Sequence, residues 1–142
     1  MKGNRLYKFE KLCSRTAINA LFGNGRSMVA YPLRAVVALR SSDSVTDNRA
    51  RFVITVPKKK IRKAVGRVLL RRRIRESYRL NRQLILPQLA SAACEVEIAF
   101  IYMDKEIADY ATIDACMKKL LGKIATQAVI RAEKEVAEDV DN

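Results

Sequence analysis

Between Lys58 and Arg82 the sequence reads KKKIRKAVGRVLLRRRIRESYRLNR, in which twelve of twenty-five residues are Lys or Arg and Glu76 is the only acid. Charge of one sign at this density repels itself in a folded monomer, so the run asks for a polyanionic partner. It is not a low-complexity tail, because Ile61, Val65, Leu69, Leu70, Ile74 and Leu80 are threaded through it. Wound as a helix at roughly 100° per residue, it places Arg67, Arg71, Arg72, Arg75, Arg79 and Arg82 within an arc of about 140°. Gly66, Leu69, Leu70, Ile74, Ser77 and Leu80 take most of the opposite arc. The chain must therefore fold around a helix with one packing face and one guanidinium face. Arg73 falls near the apolar arc, which places it at the edge with its stem buried.

A charged helical face is ordinarily just solvated, with acids interleaved among the bases. Here six arginines share one side, and Lys58, Lys59, Lys60 and Lys63 precede them with almost no acid to pair with. Lysines at the positive end of a helix dipole are intrinsically unfavourable, so their role lies with a ligand. Arginine suits phosphate because its planar fork holds two phosphate oxygens at once.

The charge is also segregated along the chain. Residues 1–82 carry 22 of the 28 basic side chains against four acids, whereas residues 83–142 carry six bases against eleven acids. The partner surface therefore belongs to the first part of the chain. A membrane surface would call for a long apolar span or an amphipathic helix with bulky aromatics, and the basic run has only Tyr78. The first sixteen residues, MKGNRLYKFEKLCSRT, lack an apolar core of signal-peptide length, which points to the cytoplasm. Nucleic acid is the favoured polyanion.

Cys13, Cys94 and Cys116 are widely spaced and form no Cys-x-x-Cys pair, and the chain has no His to complete a zinc site. They read as free thiols in a reducing compartment. The missing His also removes the usual general base.

At 142 residues and 49% apolar content the chain fits one domain with a core. Ser14 to Phe22 reads as a short helix, with Ala17, Ile18, Leu21 and Phe22 at three- and four-residue spacing and Gly23-Asn24-Gly25 ending it. Tyr31 to Leu39 and Arg51 to Val56 read as strands antiparallel to each other, separated by a polar loop from Ser41 to Asn48. Pro57 stops the second strand, and the basic helix is expected to run from there to about Leu86, before Pro87. Glu95 to Met103 reads as a third strand with Val96, Ile98, Phe100 and Tyr102 on one face. Ile113 to about Ala137 reads as a helix whose buried stripe holds Ile113, Met117, Leu120, Leu121, Ile124 and Ala128 and extends to Ile130. The expected division is one domain over residues 1–132 and an acidic, frayed tail over residues 133–142.

The segment VPKKKIRKAVGRVLLRRRIRESYRLNR resembles the signature of the bacterial ribonuclease P protein subunit, and its Val-Pro-Lys and Tyr-Arg-Leu-Asn elements resemble Bacteroidetes members. Lys63, Ala64, Val65, Arg67, Arg71, Arg72, Arg75 and Glu76 match the family pattern without a gap. Arg5-Leu6, Leu21-Phe22, Gly25 and Ser27 match it more loosely. One position departs: the family's Asn after Arg67 is Val68 here, which can neither donate nor accept a hydrogen bond.

The resemblance implies an α/β two-layer sandwich, with a mostly antiparallel sheet, helices packed on one side and a left-handed strand–helix–strand crossover, similar to a ribosomal protein domain. It further implies a protein that binds ribonuclease P RNA as a monomer in a 1:1 complex and assists removal of the 5′ leader from precursor tRNA. In such a complex the RNA and its Mg²⁺ ions perform the hydrolysis, so no catalytic residue and no metal ligand is expected from the protein. The RNA-binding residues carried over are Lys58, Lys59, Lys60, Lys63, Arg67, Arg71, Arg72, Arg75 and Arg79. A cleft between the first helix and the sheet is implied to contact the leader, through Arg5, Lys8, Phe22 and, as a substitute for an aromatic where Ile18 stands, Tyr31.

Two other readings remain at the level of sequence. A ribosomal or general structured-RNA-binding module would also be basic and α/β. A protein-only nuclease would need carboxylates converging on metal, for which Glu95 with Glu97 and Asp104 with Glu106 are the candidates. Their ordinary explanation is a solvated strand edge and loop.

Overall fold

In the computed structural model, residues 15–41 and 50–141 are described, with side chains through residue 133. Arg5, Lys8, Cys13, Ser14 and most of the polar loop from Ser41 to Asn48 lie outside the described residues. The elements follow the order α1 (Arg15–Asn24), β1 (Arg26–Ala30), β2 (Leu33–Ser41), β3 (Ala50–Thr55), α2 (Ala64–Asn81), α3 (Leu86–Ser91), β4 (Cys94–Tyr102) and α4 (Tyr110–Asp141).

The four strands form one sheet in the order β1-β2-β4-β3. β1 pairs with β2 and β2 with β4 in antiparallel fashion, whereas β3 lies parallel to β4 at the sheet edge. Val37 stands opposite Ile98, and Phe52 also stands opposite Ile98 from the other side. Parallel neighbours require a crossover, and α2 and α3 provide it between β3 and β4. The β4 alternation expected from sequence is present: Val96, Ile98, Phe100 and Tyr102 are buried.

The main core lies between this face of the sheet and α2, α3 and α4. It joins Ala35, Val37, Phe52, Ile98 and Phe100 to Leu70, Ile74 and Tyr78 of α2, Leu89 of α3, and Ile113, Met117, Leu120, Leu121, Ile124 and Ala128 of α4. The rings of Phe52 and Tyr78 approach to 4.4 Å between centroids, with Phe100 completing the aromatic cluster. This is the two-layer arrangement expected. On the opposite face a smaller cluster seats α1, through Ala17, Ile18 and Leu21, on Val36, Ala38, Val53, Ala99 and Ile101. Gly25 makes that seat possible, because a Cβ there would stand 2.5 Å from both the Leu21 carbonyl oxygen and Val36 Cγ1.

Several boundaries differ from the sequence expectation, each for a local reason. β1 is absent from that expectation, since RSMVA has few branched apolar residues; pairing with β2 makes it a strand. The strand read from Tyr31 begins at Leu33, because Tyr31 and Pro32 form the turn between β1 and β2. β3 runs antiparallel to β2 as expected, but β4 lies between them. The basic helix starts at Ala64 rather than after Pro57, and it ends at Asn81. A short 3-10 turn, Arg82–Leu84, follows, and Pro87 sits in the first turn of α3 instead of closing the long helix. In α4 the stripe is buried through Ala128, while Ile130 is 37% exposed.

Candidate nucleic-acid interface

The approach to α2 is a turn held by backbone. The Pro57 carbonyl accepts from the amides of Lys60 and Ile61, both at 3.1 Å. Lys63 is extended (φ −78°, ψ 129°) and offers no side-chain cap to the helix. Five like charges at the positive helix end, with no acidic cap, favour this turn over another helical turn. Arg67 stabilises the turn from inside the helix: its Nη1 donates to the carbonyl oxygens of Ile61 at 2.9 Å and Arg62 at 2.8 Å. Ile61 is buried, and Lys58, Lys59, Lys60 and Lys63 are left exposed around it.

Gly66, Leu70, Ile74, Ser77 and Tyr78 form the buried face of α2. The exposed arc is therefore rotated slightly from the one read in sequence, and it is centred on Val68, Arg72, Arg75 and Arg79. Arg72 and Arg75 are exposed, Arg71 is half-buried, and their side chains make no hydrogen bond or ion pair with another described residue. Arg79 is half-buried, and its Nε donates to Glu76 Oε2 at 3.0 Å beside a second contact to Oε1. That hydrogen bond, opposed by partial loss of hydration, holds the Glu76 carboxyl below its ordinary value. Arg82 leaves the arc altogether: the 3-10 turn carries it inward, where it is 4% exposed. Arg73 lies at the apolar edge as expected, with Nη1 donating to the Ala108 carbonyl at 2.5 Å.

A polar contact joins α2 to α4 on the side of the helix away from the exposed arginines. Asp114 Oδ1 accepts from Ser77 Oγ at 2.8 Å and Asn81 Nδ2 at 2.7 Å, and Lys118 Nζ lies 3.1 Å from Oδ2. Burial raises the Asp114 carboxyl, but the Ser77, Lys118 and Asn81 hydrogen bonds outweigh it and leave the group below its ordinary value. Sequence reasoning misses this contact. Its signal is the i,i+4 pair Ser77 and Asn81, two polar residues facing the helical neighbour.

The second surface lies across the sheet, beside α1. Ile18 is half-buried against the sheet, whereas Phe22 on the same helix is 46% exposed and outside both core clusters. Tyr31 is exposed at the β1–β2 turn, where its carbonyl oxygen accepts from Cys116 Sγ of α4 at 3.2 Å. Loss of hydration first, and then the Asp104 carboxylate, raise its phenol above the ordinary value. Phe22 and Tyr31 do not join the Phe52–Tyr78–Phe100 ring cluster. Alternation along β3 turns Arg51 and Thr55, with Val53, toward the α1 side.

Three of the four carboxylates considered for metal, Glu95, Glu97 and Asp104, have partners within the fold. Arg40 Nε lies 3.3 Å from Glu95 Oε2, and its Nη2 lies 3.0 Å from Glu97 Oε1. Asp104 accepts from the Glu106 amide at 3.3 Å in the loop before α4. Among the described residues no group of three or more His, Cys, Asp or Glu side chains converges in a way that could hold a metal ion. Nor is any helix among them long and apolar enough to cross a membrane.

The sequence model of the family described as Ribonuclease P matches residues 6–125. The ribonuclease P protein component of Porphyromonas gingivalis is 38% identical over 120 residues, covering 84% of this chain and 86% of that protein. Among solved structures, the ribonuclease P protein from Thermotoga maritima aligns with a TM-score of 0.61 at 24% identity, covering 80% of this chain and 96% of that one. The Staphylococcus aureus protein aligns with a TM-score of 0.61 at 20% identity, over 82% and 94% of the two chains.

Proposed function

The chain belongs to the bacterial ribonuclease P protein family, and on that premise we propose that the exposed arc of α2 docks on ribonuclease P RNA while the α1 side of the sheet contacts the 5′ leader of precursor tRNA. As the protein subunit of an endoribonuclease ribonucleoprotein, the chain needs an RNA surface rather than a reaction centre of its own. The observation that carries the reading is the exposed arginine pair Arg72 and Arg75, flanked by Arg71 and preceded by the lysine turn Lys58–Lys63, with no described side-chain partner for the pair.

Roles within the basic group divide by geometry. Arg72 and Arg75, with Lys58, Lys59, Lys60 and Lys63, are placed to reach phosphates. Arg67 holds the turn that aims the lysines, and the Glu76 contact orients Arg79. The leader contact rests on Phe22, whose exposed ring can stack on a base, and on Tyr31 at the far turn of the sheet. Arg5 and Lys8 are assigned to the same contact from the family motif alone. Mg²⁺ is assigned to the RNA and the substrate, and the expected assembly is one protein with one RNA in the cytoplasm.

The test is reconstitution with the ribonuclease P RNA of the same genome. The protein should raise the rate of leader removal at low Mg²⁺, and an unchanged rate would refute the proposal. Binding to ribosomes instead would favour a general RNA-binding role.

A further inference from the structure

Val65 and Val68 are 80% and 51% exposed on α2, on the same arc as Arg72, Arg75 and Arg79. Two large apolar side chains standing in water at the centre of a cationic face need an explanation beyond phosphate attraction. Neither is required by the helix, since Val is a poorer helix former than Ala or Lys at an exposed position. Neither joins a core cluster. Phosphates and their hydration cannot use a valine, but the unstacked face of a nucleobase can.

We propose that Val65 and Val68 form an apolar platform for a nucleobase extruded from the RNA, framed by arginines that hold the flanking phosphates. This rests on the RNA-docking role proposed for α2. Charge complementarity commits the patch to nucleic acid, because a protein or lipid partner would have to bury Arg72 and Arg75 beside it. Single-stranded loops and bulges of structured RNA supply such bases, and they are read through stacking and apolar contact more than through the duplex grooves. The platform also accounts for Val68 at the position where the family motif has Asn: here the contact is made by removing apolar surface from water rather than by a side-chain amide.

The two contributions separate by salt. Cation–phosphate contacts release counterions and set the slope of log affinity against log salt, whereas apolar contact shifts affinity without changing the slope. Binding of the chain to ribonuclease P RNA of the same genome should therefore be measured across a salt series for V65A/V68A and for R72A/R75A. Alanine preserves the helix, so V65A/V68A should keep the wild-type melting temperature and slope while binding about five- to twentyfold more weakly at every salt concentration. One base that the wild-type protein shields from base-reactive probes should become reactive in that variant. Wild-type affinity in V65A/V68A, with a flattened slope in R72A/R75A, would overturn the platform and leave the arginine dock standing. An unchanged slope in R72A/R75A would overturn the dock itself.

Discussion

Arg67 Nη1 donates to the Ile61 carbonyl oxygen at 2.9 Å, so the arginine most central to the basic motif is turned back onto the chain that precedes its own helix. With the second bond to Arg62 at 2.8 Å, this guanidinium organises the turn carrying Lys58 to Lys63. R67A should lower stability by about 1 kcal/mol by removing these hydrogen bonds. It should weaken RNA binding mainly by loosening the lysine turn. Chemical denaturation and limited proteolysis at the turn check this; wild-type stability with an undisturbed turn would show that the Arg67 bonds are dispensable.

The Asp114 contact to Ser77 and Asn81 should hold α2 against α4. D114A leaves Ser77, fully buried, without its acceptor and should cost about 2 kcal/mol. Because the folded carboxyl lies below its ordinary value of 3.8, its stabilisation is present above that value and is lost as pH falls through the lower folded value. The stability difference between wild type and D114N should therefore be constant near neutrality and shrink below about pH 4. Denaturation at a series of pH values reads it directly.

Gly25 closes α1 against the sheet where a Cβ would collide with backbone and with Val36. G25A should destabilise the protein by about 1–3 kcal/mol, with the loosened α1 reducing leader binding. A wild-type melting temperature would contradict the close approach.

Phe22 is half exposed, so F22A should change stability by no more than about 0.5 kcal/mol. If the ring stacks on a leader base, the preference for precursor over mature tRNA should fall by an amount equivalent to about 1–3 kcal/mol. Competition binding with the two RNAs in the presence of ribonuclease P RNA measures this; an unchanged ratio would move the leader surface away from α1.

Much of this arrangement was legible because the sequence repeats with clear periods. The alternation in EVEIAFIY sets the buried face of β4, and the spacing of Ile113, Met117, Leu120, Leu121, Ile124 and Ala128 sets that of α4. β1 escapes because an edge strand of mixed composition is defined by its partner rather than by its own pattern. The start of α2 reads too early because the lysines share the composition of the helix, while the turn is fixed by Pro57 and by Arg67 from beyond it. Arg82 belongs to the arginine arc on an ideal wheel, but the helix tightens there and the side chain turns inward. A wheel assumes a continuous helix, and the site depends on where that helix stops.

The salt dependence of RNA affinity tests the central claim most directly. For binding to ribonuclease P RNA of the same genome, R72A/R75A should flatten the slope of log affinity against log salt by about 0.7–0.9 for each phosphate that is no longer neutralised. A slope equal to that of the wild-type protein would place the RNA-binding surface somewhere other than α2.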